Sequence, residues 1–440
     1  MVKDAIAVEE LKQRRQALAA CYAPGTVLLI RGGRLVTRSN DTEFPFRQRS
    51  DFFYLTGLNE PDGWLVLVSG EPLDEFLFVL PRDSEQEIWH GRRLGCDKAA
   101  ELSGITKVRE LNELNRKVLS LLGSHDAVAW CYQVDNDERQ QRQRWLDKLS
   151  ESRKHGCPSQ IHDLAPAIHE LRLFKSKAEI NLMRRSAQIA ADAHRRAMSM
   201  CKVGRYEYQL AAEIHHEFAM RGTAGPAYGT ICGSGDNACI LHYTENESQL
   251  KNGDLVLIDA GCEYQGYASD ITRTFPVNGR FSPAQKRLYN WVLKAQQAAI
   301  AQIKPGVTLP QLYKVAAKIL SEGLIDVGVL KGSVAENIKG IHYRPYFMHG
   351  LGHWLGLDVH DVGAYKIDGE PRLLEPGMVL TIEPGLYIDS ATECPPEYRG
   401  LGIRIEDDIL VTEDGCENLT ASVPVTVEEI EDLMTPGAFT

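Results

Sequence analysis

The sequence predicts an α+β fold in two domains: a smaller α/β domain over residues 1–172, then a larger one over 173–440 in which helices cover antiparallel strands. Three observations carry this expectation. The chain has 440 residues, more than one ordinary core holds at roughly 100–200 residues per domain. Short apolar runs alternate with helical patterns in the first third, whereas after residue 175 long helical patterns are grouped around strand-like runs. Finally, the stretch Leu250 to Gly261 aligns without a gap on Leu374 to Gly385. The leucine, both glycines and the isoleucine coincide, and an acid follows the isoleucine in each copy, Asp259 in one and Glu383 in the other. Such a repeat reads as a duplicated half-domain that brings two equivalent strand ends towards one centre.

In chain order, Val27–Ile30 stops at Gly32-Gly33, Trp64–Val68 at Gly70 and Phe76–Leu80 at Pro81, so all three read as strands. Helical spacing covers Val8 to Cys21 and Leu111 to Leu122. Asp135 to Arg144 is almost wholly polar with mixed charges, as expected of a solvated helix face. Ser176 lies three residues before Glu179, and Ile180, Met183 and Ala187 follow at helix spacing; this capping-box pattern opens the second domain. Further helices are expected at Glu207–Met220, Pro283–Ile303 and Leu309–Glu322, and strands at Leu255–Asp259, Ala268–Phe275, Met378–Glu383 and Gly402–Val411. The turn Gly261–Gly266 would fold the first two of these strands into a hairpin. His215-His216-Glu217 lacks the spacing of a zinc motif and reads as part of a structural helix. Gly233–Asn237 reads as a tight turn lining a cleft.

Composition narrows the function classes. Hydrophobic residues make up 43% and charged residues 25% of the chain, as in ordinary globular proteins. No apolar run approaches the ~20 residues a membrane span needs. The opening Met1-Val2-Lys3-Asp4 soon turns charged, so no signal peptide is expected. The net charge of −11 should repel phosphate backbones, which argues against nucleic acid as a partner. The ten cysteines contain no C-x-x-C pair and read as reduced thiols, mostly small core residues, in a cytoplasmic protein.

Four acids stand on or beside apolar strands. Asp259 ends one, Asp270 shares a face with Thr272 and Thr274 by alternation, Glu383 ends a third, and Glu406 lies near Arg404 on a fourth. Unpaired buried carboxylates cost several kcal/mol or take up protons, so arginines or metal ions must neutralise them. The glycine-rich run His349-Gly-Leu-Gly-His353, with His360 beyond it, lets imidazoles approach closely. One imidazole and four carboxylates make a hard, oxygen-rich site that suits Mn²⁺ first, then Co²⁺, and Zn²⁺ less well. Two divalent cations would balance four negative charges, and a pair about 3.5–4 Å apart can hold and deprotonate a water.

These segments resemble the metallopeptidases of the pita-bread fold: aminopeptidase P, prolidase and methionine aminopeptidase. The match is closest to bacterial aminopeptidase P, the Xaa-Pro aminopeptidase family. Arg47–Pro61, Glu87–Gly95 and Tyr398–Asp408 resemble it as well, so the likeness runs over nearly the whole chain. It implies a pita-bread C-terminal domain of pseudo-two-fold design, behind an α/β N-terminal domain that gates substrate length and makes oligomer contacts. His353 and Glu383 would bind one metal and Asp259 the other, with Asp270 and Glu406 bridging the pair. A metal-bridging hydroxide would attack the peptide, with Glu383 as proton shuttle. His242 and His360 would position substrate and steady the oxyanion, and His349 would line the proline side. Arg404 would orient the acids and is grouped with the substrate-binding residues. The expected substrates are peptides with an N-terminal Xaa-Pro, with organophosphate triesters as a side activity, and the expected assembly is a homo-oligomer, dimer or tetramer. Asp41 and Trp89 match positions that reach a neighbouring subunit in that family. Prolidase, which would grip a dipeptide carboxylate with an arginine such as Arg372, is the alternative function. An inactive binding module is a second alternative, but such modules are expected to lose metal ligands, and all five are present here.

Overall fold

The computed structural model describes residues 6–151 and 156–435. Two compact units divide the chain, Met1–Arg172 and Leu173–Thr440. The opening Met1–Asp4, read above for a signal peptide, lies outside the described residues.

In the first unit a six-stranded sheet runs in the order Val108–Glu110, Asp74–Val79, Trp64–Val68, Val27–Arg31, Ala127–Trp130, Gln160–Asp163. The three strands at its middle left form an antiparallel meander. The other three join in parallel, which requires crossovers, supplied here by the helices Gly95–Ser103, Leu114–Leu122 and Asn136–Ser150 among others. Val27–Ile30 and Trp64–Leu67 are buried without alternation, as in a sheet covered on both faces. The polar run after Asp135 is indeed a helix, Asn136–Ser150, capped by the Asp135 carboxylate. Its inner face is not solvated, however. Glu138, Arg142, Trp145 and Leu149 recur at helical spacing and are buried, and Glu138 is paired by Arg49 at 2.5 Å and by Arg142. Trp89 is 81% exposed on the short helix Ser84–His90, and Asp41 is exposed at a hairpin tip.

The second unit opens with the capping box Ser176/Glu179, formed in both directions, on the helix Lys177–Met200. Glu207–Met220 packs beside it, and Pro283–Ile300 pairs with Leu309–Asp326. The last two also start with capping boxes, from Ser282 and Thr308. Their apolar faces cover a single large core that includes Ile258, Leu288, Leu320, Leu380 and Ile409. Two three-stranded sheets carry the site: Ile231–Ser234, Leu255–Asp259 and Thr272–Pro276 in one, Val379–Ile382, Asp407–Val411 and Cys416–Asn418 in the other. The sequence repeat is a structural repeat. The aligned Gly253 and Gly377 both take left-handed φ, 91° and 89°, and the aligned Leu250 and Leu374 are both buried. Each repeated strand then pairs antiparallel with a strand carrying a second acid near its start, Asp259 opposite Thr272 and Ile382 opposite Asp407.

Two expected strands are interrupted. Ala268–Phe275 is Tyr267–Ala268 followed by Thr272–Pro276, and Gly402–Val411 is Leu401–Arg404 followed by Asp407–Val411. Asp270 and Glu406 sit in the breaks. The Asp270 N–H goes to the Asp408 carboxylate at 3.1 Å instead of a ladder partner. The Glu406 N–H crosses to the carbonyl of Thr272, also at 3.1 Å. Gly233–Asn237 is the end of a strand running into the 3₁₀ helix Gly235–Cys239 and is not among the residues lining the cavity described below. All ten cysteines are free, but only Cys201, Cys232 and Cys262 are buried, so most are not core residues. Among the described residues no helix is long and apolar enough to cross a membrane.

Candidate metal centre

The repeated strands deliver Asp259 at the end of Leu255–Asp259 and Glu383 just past Val379–Ile382. The irregular segment bearing the histidines lies along the second of these. Thr381 donates its N–H to the His353 carbonyl at 2.9 Å, Glu383 donates to Leu351 at 2.8 Å, and the Thr381 hydroxyl accepts from the His353 N–H at 3.2 Å. Gly352 is needed for that approach, since a Cβ there would stand 1.8 Å from the Thr381 carbonyl oxygen. Glu406 is held from behind by the buried Arg273, which donates to the Glu406 carbonyl at 2.6 Å and to the Asp407 carboxylate at 2.7 Å.

Asp270, His353 and Glu406 each present one ligand atom within 4.8 Å of the others. The His353 Nδ1–H donates to the Trp354 carbonyl at 3.0 Å, which leaves the Nε2 lone pair facing the acids. That nitrogen is 3.4 Å from Asp270 and 3.8 Å from Glu383. Asp259 joins the cluster through Tyr228, whose hydroxyl reaches Asp259 at 2.6 Å and Asp270 at 2.5 Å. Arg404 is buried and each of its three nitrogens donates, to Asp259 at 2.6 Å, to the Tyr387 hydroxyl at 2.9 Å and to the Thr272 hydroxyl at 3.1 Å. Thr272 in turn donates to Glu406 at 2.6 Å. Arg404 therefore stands behind the acids, in an orienting position.

The charge balance is uneven. Burial, with Asp259 and Asp408 nearby, holds the Asp270 carboxyl well above the usual carboxylate range. Burial, Asp270 and Glu383 do the same to Glu406, and burial and the neighbouring Asp259 push Glu383 up against the pull of His353 and Arg404. One guanidinium does not neutralise four carboxylates. The Tyr228 contact repeats the point, because a hydroxyl has one proton and cannot serve two carboxylates at once. The cluster is short of positive charge, and its hard oxygen donors with one imidazole suit divalent cations.

All nine residues expected at the site line one cavity of about 490 Å³, a size suited to a small ligand. His349 accepts from the Tyr387 hydroxyl at 2.9 Å and lies 3.6 Å from Glu383; burial and Arg404 lower its pKa to about 4. His360 stacks edge-on to His353 at 4.3 Å, and burial, His353 and His242 lower its pKa. His242 is exposed and makes no hydrogen bond among the described residues. Arg372 is not among the cavity-lining residues; its guanidinium lies over the Phe174 ring and 3.5 Å from Glu375. Tyr228 and Tyr387 were not foreseen from the sequence. Tyr228 precedes Gly229 in an irregular segment and Tyr387 lies in the strand Gly385–Ile388, and only their cross-chain partners reveal them.

The family model described as metallopeptidase family M24 matches residues 181–413, and that of the aminopeptidase P N-terminal domain matches residues 11–130. The Xaa-Pro aminopeptidase of Escherichia coli is 49% identical, with 98% of each chain covered. A zinc-substituted E. coli aminopeptidase P in complex with product has TM-score 0.96 and 49% identity, covering 99% of this chain and 100% of that one. Proline aminopeptidase P II from Yersinia pestis has TM-score 0.95 and 48% identity, covering 98% of this chain and 99% of that one. The chain belongs to metallopeptidase family M24, in the branch that carries the aminopeptidase P N-terminal domain.

Proposed function

We propose that this chain releases the N-terminal residue from peptides with proline in second place, using two divalent cations, with Mn²⁺ the preferred ion. The observation that carries the proposal is the convergence of Asp270, His353 and Glu406, flanked by Asp259 and Glu383, on one cavity. His353 and Glu383 would hold one cation and Asp259 the other, with Asp270 and Glu406 shared. When bound, such cations supply Lewis acidity and acidify a water to near neutral pH.

The chain's own groups do the rest. Glu383, whose carboxyl burial and Asp259 push up, is placed to take a proton and deliver it to the leaving proline nitrogen. His349 and His360, with lowered pKa values, stay uncharged near neutral pH. His360 offers an N–H donor without adding charge, and His242 joins it in holding the carbonyl oxygen as charge develops on it; His349, with its Nδ1–H on the Gly350 carbonyl and its Nε2 on the Tyr387 hydroxyl, lines the pocket. Such donors matter because an X-Pro amide has no N–H by which a site could orient it. The position of Arg372 away from the cavity wall and the names of the similar proteins favour this reading over a dipeptidase. A homo-oligomer accords with the bare side chains Val36, Ile88 and Trp89 of the first unit, 62%, 79% and 81% exposed. A cytoplasmic setting accords with ten free thiols.

Metal analysis coupled to hydrolysis of an Xaa-Pro-Xaa tripeptide tests the proposal. Two equivalents of metal, loss of cleavage on chelation and recovery with Mn²⁺ are expected. Cleavage indifferent to chelation, or a preference for the Xaa-Pro dipeptide, would overturn it.

A further inference from the structure

We propose that Glu207 is a positioning residue for the reaction, holding the loop that carries His242 at the cavity wall. The inference rests on the reading that His242 acts on substrate.

Glu207 is the first residue of the helix Glu207–Met220 and is fully buried. Its carboxylate accepts five hydrogen bonds, all from one stretch of chain. Ser234 N–H and Ser234 hydroxyl (both 2.7 Å) and the Asn237 amide (3.1 Å) bind Oε1. Tyr243 hydroxyl and Ser248 N–H (both 2.9 Å) bind Oε2. No lysine or arginine pairs with it among the described residues. The only other support for the charge is the helix N-terminus on which it stands. A buried carboxylate without a counter-ion is an expensive way to close a loop, and it pins both ends and the middle of 234–248.

The same stretch is zipped to the helix start by Glu207 N–H to Ser248 at 3.0 Å and Tyr208 N–H to Asn246 at 2.8 Å. Leu241, His242 and Thr244 line the cavity. Because the His242 imidazole has no hydrogen bond of its own among the described residues, its place is set by the backbone on either side of it. Tyr243, the next residue, is the one tied to Glu207. Glutamine cannot replace this carboxylate. Each oxygen takes one backbone N–H, from Ser234 or Ser248, which cannot reverse; whichever way an amide turned, its NH₂ would face one of them.

A double-mutant cycle on the manganese-loaded full chain with an Xaa-Pro-Xaa tripeptide tests this. Glu207→Gln should lower kcat/KM about tenfold or more, at unchanged metal content, the size usual for groups that orient active residues. In the His242→Ala background the same change should cost less than about twofold, because there is no longer an imidazole to place. An equal factor in both backgrounds, or no loss in the single variant, would overturn the proposal. If His242→Ala alone is as active as the wild type, the role of His242 falls and the proposal with it, whereas the chelation experiment judges the reaction itself. Should Glu207→Gln not fold, Tyr243→Phe removes one donor and keeps the buried ring. A loss of about two- to fivefold that vanishes with His242→Ala is then expected, and a loss that persists there refutes the proposal.

Discussion

Replacing Asp270 by asparagine should make the protein more stable without metal and abolish its response to metal. Asp270 and Asp259 both crowd the Tyr228 hydroxyl, at 2.5 and 2.6 Å, so these oxygens are no more than about 5 Å apart. At an effective dielectric of about 20, two full charges at that distance repel by about 3 kcal/mol. Taking up a proton relieves the repulsion but costs a comparable amount at neutral pH for a group whose ordinary pKa is 3.8. Asparagine removes the charge, keeps an oxygen for Tyr228 and turns its amide towards the His353 Nε2 lone pair, 3.4 Å from the present Oδ2. After the cost of burying an amide, a net gain of about 1–2 kcal/mol is expected, which is roughly 2–8 °C in a domain of this size. With cations, the wild type gains about 2.7 kcal/mol at a hundredfold excess over Kd, a gain that Asp270→Asn should lose along with peptidase activity. Thermal unfolding with EDTA and with Mn²⁺ reads both effects. A variant that melts below the wild type in EDTA, or that still rises with Mn²⁺, would refute the charge-deficit account.

Tyr228→Phe should remove the hydroxyl for which Asp259 and Asp270 compete; a fall of about tenfold in kcat/KM and weaker binding of the second Mn²⁺ are expected, measured by kinetics and metal titration, and unchanged values would argue against the role. His194 is fully buried and donates to the Ala260 carbonyl at 3.0 Å, while its Nδ1 has no partner among the described residues. Burial lowers its pKa from 6.5 to about 4, so between those values the unfolded chain binds a proton that the folded chain refuses. Stability should therefore fall as pH drops through that window, by about 2 kcal/mol between pH 7 and pH 5. His194→Gln keeps an N–H for Ala260 and should remove that part of the acid sensitivity in denaturant titrations at the two pH values; an unchanged slope would rule it out.

The acids of the candidate site are legible in the sequence because a carboxylate in or beside an apolar strand needs a reason, and the repeat places Asp259 and Glu383 at matching strand ends. Periodicity is blind to the breaks at Asp270 and Glu406. Alternation runs straight through both, and only the hydrogen bonds to Asp408 and Thr272 show that the ladder has been given up there. Tyr228 and Glu207 are silent for a different reason. Tyr228 meets Asp259 and Asp270 from 31 and 42 residues away, and a glutamate opening a helix looks like any residue that complements the helix dipole.

The same long-range contacts explain why the two halves make one site. Thr272, two residues after Asp270, accepts the Glu406 N–H on its carbonyl, donates its hydroxyl to the Glu406 carboxylate and accepts from Arg404. Arg404, from the second half, reaches back to Asp259 in the first. A duplicated strand pair alone would supply two separate pairs of acids. The interrupted ladders free the backbone groups that lock one pair against the other, so the breaks that periodicity cannot see are what bring four carboxylates and one imidazole to a single centre.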